Sequence, residues 1–385
     1  MMLLEEIVKY LDNIFKNKLA LAGDSVGLQI GRMSWDIKTI LITLDVTEGV
    51  IDEAIENCAD LILSHHPVIL SPPATITDEN LPGKKIIRLS ENKVAVYVAH
   101  TNYDMSPDGL NYLLAENLEL KNVSVIKPES QQWYKFVIFV PMEAEEKVRE
   151  VICAGGGGNW KNYSCCTFNV EGKGTFKPLE GSNPYIGRVG DLNFAKEVRI
   201  ECIVSEDNIA TLIKAAVEAH PYEEPAYDIY RIENKFADYG IGRIGELETP
   251  GSFKSLLEKI KSAFNTVNFR WLAKDISNID KKLIKKIALI NGSANSFTDT
   301  VSLADFECDV VIVGELKYHK ALEIAESGKI LVELGHGESE KPAMHGMYLK
   351  VKNFIDSYFS GFSEDDKINL IKSRTGFEPW RYYIE

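Results

Sequence analysis

The chain has 385 residues, 45% of them apolar and 26% charged, the profile of an ordinary globular protein long enough for two domains. Lys and Arg total 43 against 57 Asp and Glu, and the resulting net charge of −14, without any dense basic run interleaved with aromatics, excludes general binding to nucleic-acid backbones. No apolar run reaches the length of a membrane span, so a cytoplasmic setting with no membrane partner is expected.

In chain order, MMLLEEIVKYLDNIF is patterned as an acidic amphipathic helix and lacks the basic n-region of a signal peptide. Residues 39–46 (TILITLDV), 60–64 (DLILS) and 94–100 (VAVYVAH) read as strands, with helical spacing in TEGVIDEAIENCA and over 83–92. This rhythm predicts a largely parallel sheet covered by helices. The pattern changes near residue 127. From Trp133 to about residue 233 the chain reads strand, helix, two shorter apolar/polar segments, then strand, helix and strand. Two β-α-β arrangements in that span predict a ferredoxin-like module. The Gly-rich turn at 155–158 lacks the Lys-Ser/Thr of a P-loop and is expected to be a hinge or hairpin loop. After residue 238 the first rhythm resumes through KKIALING (285–292), DVVIVGE (309–315) and KILVELG (329–335), followed by a long closing helix. The expected fold class is α/β. A discontinuous core, residues 1–127 and 236–385, is interrupted by a ferredoxin-like insertion at 128–235. The cysteines form no C-x-x-C pair and are expected to be buried free thiols.

Histidines follow closely on four apolar strands: LILS runs into His65 and His66, VAVYVA into His100, VELG into His336, and VVIVGELKY reaches His319. The carboxyl ends of strands in an open α/β sheet are where ligands bind. Neighbouring side chains on a regular strand point to opposite faces, but Pro67 ends the strand and lets both rings of His65–His66 turn toward one cleft. In AHTNYDM, His100 and Asp104 stand four apart and share one side of a helical turn, with His100 either a ligand or an orienting neighbour and Asp104 either a ligand or a cap. In GHGESE, Glu338 and Glu340 compete as partners of His336, and four-residue spacing favours Glu340 if this segment opens the last helix. Pro342 then fits that helix's first turn. Together these strand ends offer the ligand chemistry of a two-metal site.

LSHHP, AHTNYD, GELKYH and LGHGESE, with GDSVGLQIG near the N-terminus and HPYEEPAYDIY at 220–230, resemble the dinuclear-metal proteins called GTP cyclohydrolase 1 type 2 homologues, or Ngg-one-interacting-factor-three-like proteins. The resemblance runs along essentially the whole chain. It implies that His65, His66, Asp104, His336 and Glu340 hold two divalent ions, with Glu340 bridging both. It also implies a hexameric, toroidal assembly and a middle domain similar to signalling or divalent-tolerance proteins. Zinc, iron and manganese suit such a donor set about equally. The implied reaction is hydrolytic opening of the guanine imidazole ring of GTP with release of formate, His100 or His319 moving protons. Lys317 and Arg243 are candidates for phosphate contact, and the NGSANS turn at 291–296 could present backbone N–H groups to an anion. The alternatives are a phosphoesterase using the same ions and a non-catalytic, metal-dependent sensor.

Overall fold

The computed structural model describes residues 2–129, 131–160, 162–236, 239–361, 367–375 and 379. The chain divides into two compact units, Met1–Pro128 with Asp238–Glu385, and Glu129–Ala237. No helix among the described residues is long and apolar enough to cross a membrane.

In the first segment of the discontinuous unit, helix α1 (Leu4–Phe15) buries Leu4, Ile7, Val8, Leu11 and Phe15, one face of a 3.6-residue repeat. Strands β1 (Gly27–Ile30), β2 (Thr39–Thr43), β3 (Leu61–Ser64) and β4 (Ala95–Val98) follow, separated by α2 (Glu48–Glu56) and α3 (Leu81–Glu91). All four residues of β3 and of β4 are buried, the continuous apolar pattern of strands covered on both faces. The short helices α4 (Thr101–Met105) and α5 (Leu110–Asn117) lead to β5 (Lys121–Pro128).

The second unit runs β6 (Gln131–Pro141), α6 (Glu145–Ala154), β7 (Thr167–Phe176), β8 (Asn193–Ser205), α7 (Glu206–Ala219) and β9 (Tyr227–Phe236). Its four strands form one sheet in the order β9-β6-β8-β7, antiparallel at every pairing. Phe136, Ile138 and Val140 of β6 and Val198, Ile200 and Val204 of β8 pack with Val148 and Ile152 of α6 and Leu212 and Ala216 of α7.

The chain then returns through β10 (Gly240–Ser252), α8 (Phe253–Phe264), β11 (Arg270–Leu272), β12 (Leu283–Ser293), β13 (Val310–Glu315), α9 (Tyr318–Glu326), β14 (Ile330–Glu333), α10 (His336–Tyr358) and β15 (Asn369–Lys372). Where one largely parallel sheet is expected from sequence, the discontinuous unit has two. The first, in the order β15-β2-β3-β4-β1, is parallel except at β4–β1. The second, in the order β11-β14-β13-β12-β10-β5, is parallel only between β14, β13 and β12. Strands β5 and β10 pair antiparallel because the chain leaves and returns at their adjacent ends, Pro128 opposite Gly240. Each sheet takes one strand from the other segment, β15 into the first and β5 into the second.

One hydrophobic core lies between the two sheets. It joins Ile40, Leu61 and Tyr97 of the first sheet to Leu289, Ile312 and Val332 of the second, with Phe15 of α1, Leu114 of α5, Ile260 of α8 and Met347 of α10. Helices α2 and α3 cover the outer face of the first sheet through Val50, Ile51 and Leu89. Helix α9 covers that of the second through Ile324. Only Cys202 among the cysteines is buried; Cys58, Cys165 and Cys166 are exposed, and all six are free.

Arg243 is not available to a phosphate. It is 2% exposed and its guanidinium donates to the carbonyls of Gly240 (2.8 Å), Gly242 (2.8 Å) and Ser106 (2.7 Å), tying β10 to the turn after α4. An apolar residue of similar volume would leave these acceptors buried without donors. Arg243→Met is therefore expected to lower stability by about 3 kcal/mol or more, read from the urea midpoint.

In the second unit His220 is buried, with Nε2 3.0 Å from the carbonyl of Phe139 and Nδ1 accepting from the Tyr222 N–H at 3.0 Å. Burial lowers its pKa below 6.5, a shift the Phe139 carbonyl and Glu197 oppose without cancelling. The fold thus favours the neutral ring. That contribution is complete above the unfolded-state value near 6.5 and is lost as the pH falls through it toward the lower folded value. An NMR titration of this imidazole should give a midpoint below 6.5, and His220→Gln should flatten the loss of stability of this unit between about pH 7 and 5.

Candidate metal centre

The carboxyl ends of the parallel strands in both sheets converge on one cluster. Beyond β3 the ladder continues for two residues, with His65 N–H donating to Thr43 O at 3.1 Å and His66 N–H to Leu44 O at 2.8 Å. The Ser64 hydroxyl donates to the carbonyl of His66 at 2.7 Å, and the chain bends at His65 and His66, ahead of Pro67. The two rings end on the same side, with centroids 5.2 Å apart. After β4, the Asp104 N–H bonds to His100 O at 3.1 Å, which makes a helical turn and carries Asp104 into the cluster. After β14, Gly335 adopts φ 95° and α10 begins at once with His336. His336 and Glu340 are therefore one turn apart on the same face, as their spacing predicts.

Because α10 starts at His336, Pro342 sits inside the helix beyond its first turn, contrary to the sequence reading. Glu338 is held by Lys341, which leaves Glu340 as the carboxylate that meets the imidazoles.

Two trios of donor atoms share Glu340: His65 with Asp104, and His66 with His336, in each case with the atoms within 4.8 Å of one another. His65 Nε2 lies 3.6 Å from Asp104 Oδ1 and 3.7 Å from Glu340 Oε1. On the other side, Glu340 Oε2 lies 2.8 Å from His66 Nε2 and 3.2 Å from His336 Nε2. His65 and Glu340 are almost fully buried, at 0% and 2% exposure. Yet His65 Nε2, His66 Nε2 and Glu340 Oε2 are buried without an aligned hydrogen-bond partner. Polar atoms so placed are costly unless something satisfies them, and lone pairs converging from opposite sides suit a cation. Three imidazoles and two carboxylates are a fitting donor set for a borderline divalent metal.

The other ring nitrogens are fixed. His65 Nδ1 lies 2.7 Å from the carbonyl of Ala99 and His66 Nδ1 lies 2.8 Å from Asp45 Oδ1, so each ring turns Nε2 into the cluster. His100 completes a third trio with His65 and His66. Its Nδ1 lies 2.9 Å from Asp24 Oδ1, and the Thr101 hydroxyl also donates to Asp24. Burial alone would raise Asp24, but His100 and Thr101 outweigh it and hold the carboxyl at about 2.

The electrostatics of the cluster centre on Glu340. Burial pushes it up, but the imidazoles of His336, His65 and His66 reverse that and hold it well below the usual carboxylate range. Burial, reinforced by Glu340 and opposed by His65, pushes Asp104 up. For His66, burial works against protonation, yet Asp45 and Glu340 drive the ring up to about 10. Glu340 lifts His336 to about 8 against its burial. Positive charge is thus demanded around Glu340, and protonated imidazoles or metal ions can supply it.

In the NGSANS turn the Asn291 and Gly292 N–H groups are engaged within the protein and not offered to an anion. The Asn291 side chain donates to Asp104 Oδ1 at 2.9 Å and to Glu340 Oε1 at 3.3 Å, and the Gly292 N–H donates to the Ser339 hydroxyl at 2.8 Å. The Asn291 N–H in turn donates to Asn111 Oδ1 at 3.1 Å, and Asn111 donates to the carbonyl of Asp104 at 3.1 Å. His319 is exposed on the first turn of α9, in ring contact with Tyr318, and belongs to none of the donor groups. Lys317 is likewise exposed, 4.0 Å from Asp299. Asp24 lies in the GDSVGLQIG segment and Asn291 opens NGSANS, but the roles of these two and of Asp45 are not legible in sequence because each is a single polar residue with no spacing partner. The signal available is position, since Asp45 follows β2 and Asn291 lies near the end of β12.

The fold and this cluster define an α/β protein with a candidate metal centre built between two sheets. The chain belongs to the family described as Duf34/NIF3 (NGG1p interacting factor 3), which it matches over residues 2–363. It is 36% identical over 352 residues to the "GTP cyclohydrolase 1 type 2 homolog" of Halalkalibacterium halodurans, covering 91% of this chain and 92% of that protein. It is 35% identical over 379 residues to the protein of the same name from Bacillus subtilis, covering 98% of each. A Bacillus cereus protein related to NIF3, known from its crystal structure, is similar with a TM-score of 0.85 and 34% identity over 99% of both chains.

Gly292 shows how tightly Glu340 is seated. It adopts φ +56°, and a Cβ there would lie 2.1 Å from Glu340 Oε1. Gly292→Ala is expected to cost about 2 kcal/mol from backbone strain and displacement of the carboxylate, measured by denaturant titration of the metal-free protein.

Proposed function

We propose that this protein is a dinuclear metal-dependent hydrolase in which His65, His66, Asp104, His336 and Glu340 hold two divalent ions, with Glu340 shared. The observation that carries the reading is the pair of donor trios meeting at one buried carboxylate whose Oε2, like the Nε2 atoms of His65 and His66, lacks an aligned hydrogen-bond partner. Zinc, iron and manganese all suit the donors. Such ions supply Lewis acidity and make water nucleophilic at neutral pH.

The proposed substrate is a nucleotide purine ring, in the first instance that of GTP; the names of the relatives support this. Hydrolysis of both C–N bonds at the carbon between the imidazole-ring nitrogens releases that carbon as formate. The chain's own part begins with Asp24, which fixes Nδ1 of His100 and leaves Nε2 to take a proton from the attacking water and return it to the departing nitrogen. Asp45 and the Ala99 carbonyl keep His66 and His65 in the tautomers that direct Nε2 inward. His319 has no part in this scheme. The insertion, with its β-α-β-β-α-β order and antiparallel sheet, is read as ferredoxin-like. Family membership supports a hexameric assembly, which light scattering would measure.

The test couples elemental analysis to turnover. The wild-type chain is expected to carry close to two ions. Glu340→Ala should lose both, and His336→Ala should weaken one. Metal-loaded protein should release formate from GTP, and His100→Gln should slow release by about a hundredfold or more with its metal retained. Formate release no greater than that of His65→Ala/His66→Ala would sink the cyclohydrolase reading. Hydrolysis of bis-p-nitrophenyl phosphate instead would make the centre a phosphoesterase. Retained metal with neither activity would leave a metal-dependent binding protein.

A further inference from the structure

The inserted unit contains a cavity of about 610 Å³ that the metal chemistry does not use, within the size range of small-molecule sites. Its floor is the face of the sheet that the helices leave uncovered. Phe136, Ile138, Val140, Val198 and Ile200 pack with the helices, so alternation places Phe139 and Glu197 on the opposite face, where both line the cavity. The segment 177–186 forms one wall and the turn at 222–226 another. They are tied by the Asn183 N–H, which donates to Glu223 at 2.9 Å.

Three aromatic rings adjoin. Tyr222 lies 6.2 Å from Phe176 and 6.0 Å from Tyr185 between ring centroids. Three carboxylates, Glu197, Glu223 and Glu224, share the lining with a single cation, Lys177. Glu197 is half-buried and accepts from the Tyr222 hydroxyl at 3.0 Å, and among the described residues no Lys or Arg pairs with it. A Cβ at residue 174 would lie 2.0 Å from Glu197 Oε2, so Gly174 is what admits this carboxylate to its place. Burial and Glu197 together push the Tyr222 phenol up, which keeps it a neutral donor with an intact ring face.

Rings beside carboxylates repel anions, and a purely apolar ligand would gain nothing from the charges. Ammonium and guanidinium groups are attracted by both elements, through ring faces and through charge-assisted hydrogen bonds. We infer that this cavity is a binding site for a small organic cation, an alkylammonium or guanidinium compound with an apolar or flat body, seated between Tyr222, Phe176 and Glu197. The site shares no residue with the metal centre and gives the insertion a ligand of its own.

The test is titration of the full-length protein with agmatine, spermidine and choline, followed by calorimetry and saturation-transfer NMR, with AMP as the anionic counterpart. At least one of the cations is expected to bind with a dissociation constant below about 1 mM, weakening as salt is raised. Glu197→Gln, which keeps an acceptor for Tyr222, should weaken it by about tenfold, and Tyr222→Leu by a similar factor. His65→Ala/His66→Ala should leave it unchanged. Circular dichroism of the variants establishes that they are folded, and Glu197→Gln alone decides if Tyr222→Leu is not. Absence of binding by all three cations, preference for AMP, or equal affinity in wild type and Glu197→Gln overturns the inference.

Discussion

A carboxylate buried among imidazoles is the constraint on which the rest of this structure depends. Glu340 is 2% exposed, and an isolated charge at that depth would be strongly disfavoured. It is tolerated because His65, His66 and His336 approach from two sides, and because Asn291 donates to Oε1. Removing any one of these leaves a buried charge less compensated. The centre's suitability for a cation follows from the same fact. Lone pairs brought together in a dry place demand positive charge.

That demand shapes the fold around it. His65, His66, His100 and Asp104 come from strand ends of the first sheet, and Asn291, His336 and Glu340 from those of the second. The sheets must therefore be held in register with each other as well as internally. Three devices accomplish this: the shared core between the sheets, the exchange of β5 and β15, and polar clamps that cross the sequence. Asn111 with Asn291 and Arg243 with Ser106 are such clamps, each joining residues more than a hundred positions apart. A buried guanidinium satisfied by carbonyls serves here as a structural pin. From sequence it looked like a ligand contact, because nothing in its local pattern reports burial.

The strand ends were readable because fully buried parallel strands are continuous apolar runs, and a histidine directly after such a run stands out. His65, His66, Asp104, His336 and Glu340 meet in space as their motifs imply. The spacing rule placed His336 and Glu340 on one helical face. It could not place Pro342, since a positive φ at Gly335 lets the helix start earlier than the proline suggests. Sheet number was not readable. Alternating strand and helix signals are the same for one sheet or two, and which strands cross over depends on contacts between the distant segments. His319 illustrates the limit of the strand-end argument. One helical turn beyond a strand is enough to carry a side chain out to solvent.

The pairing of Pro128 with Gly240 has a further meaning. The core chain leaves and re-enters at neighbouring rungs of one antiparallel ladder, so the whole second unit occupies the place of a hairpin loop. Such a junction asks nothing of the guest except that its own ends lie close together, which a sheet with its first and last strands adjacent provides. Host and guest can then change independently. The core ladder is free to keep its geometry whatever length of chain is carried between those two rungs, much as a tool is swapped on a fixed handle.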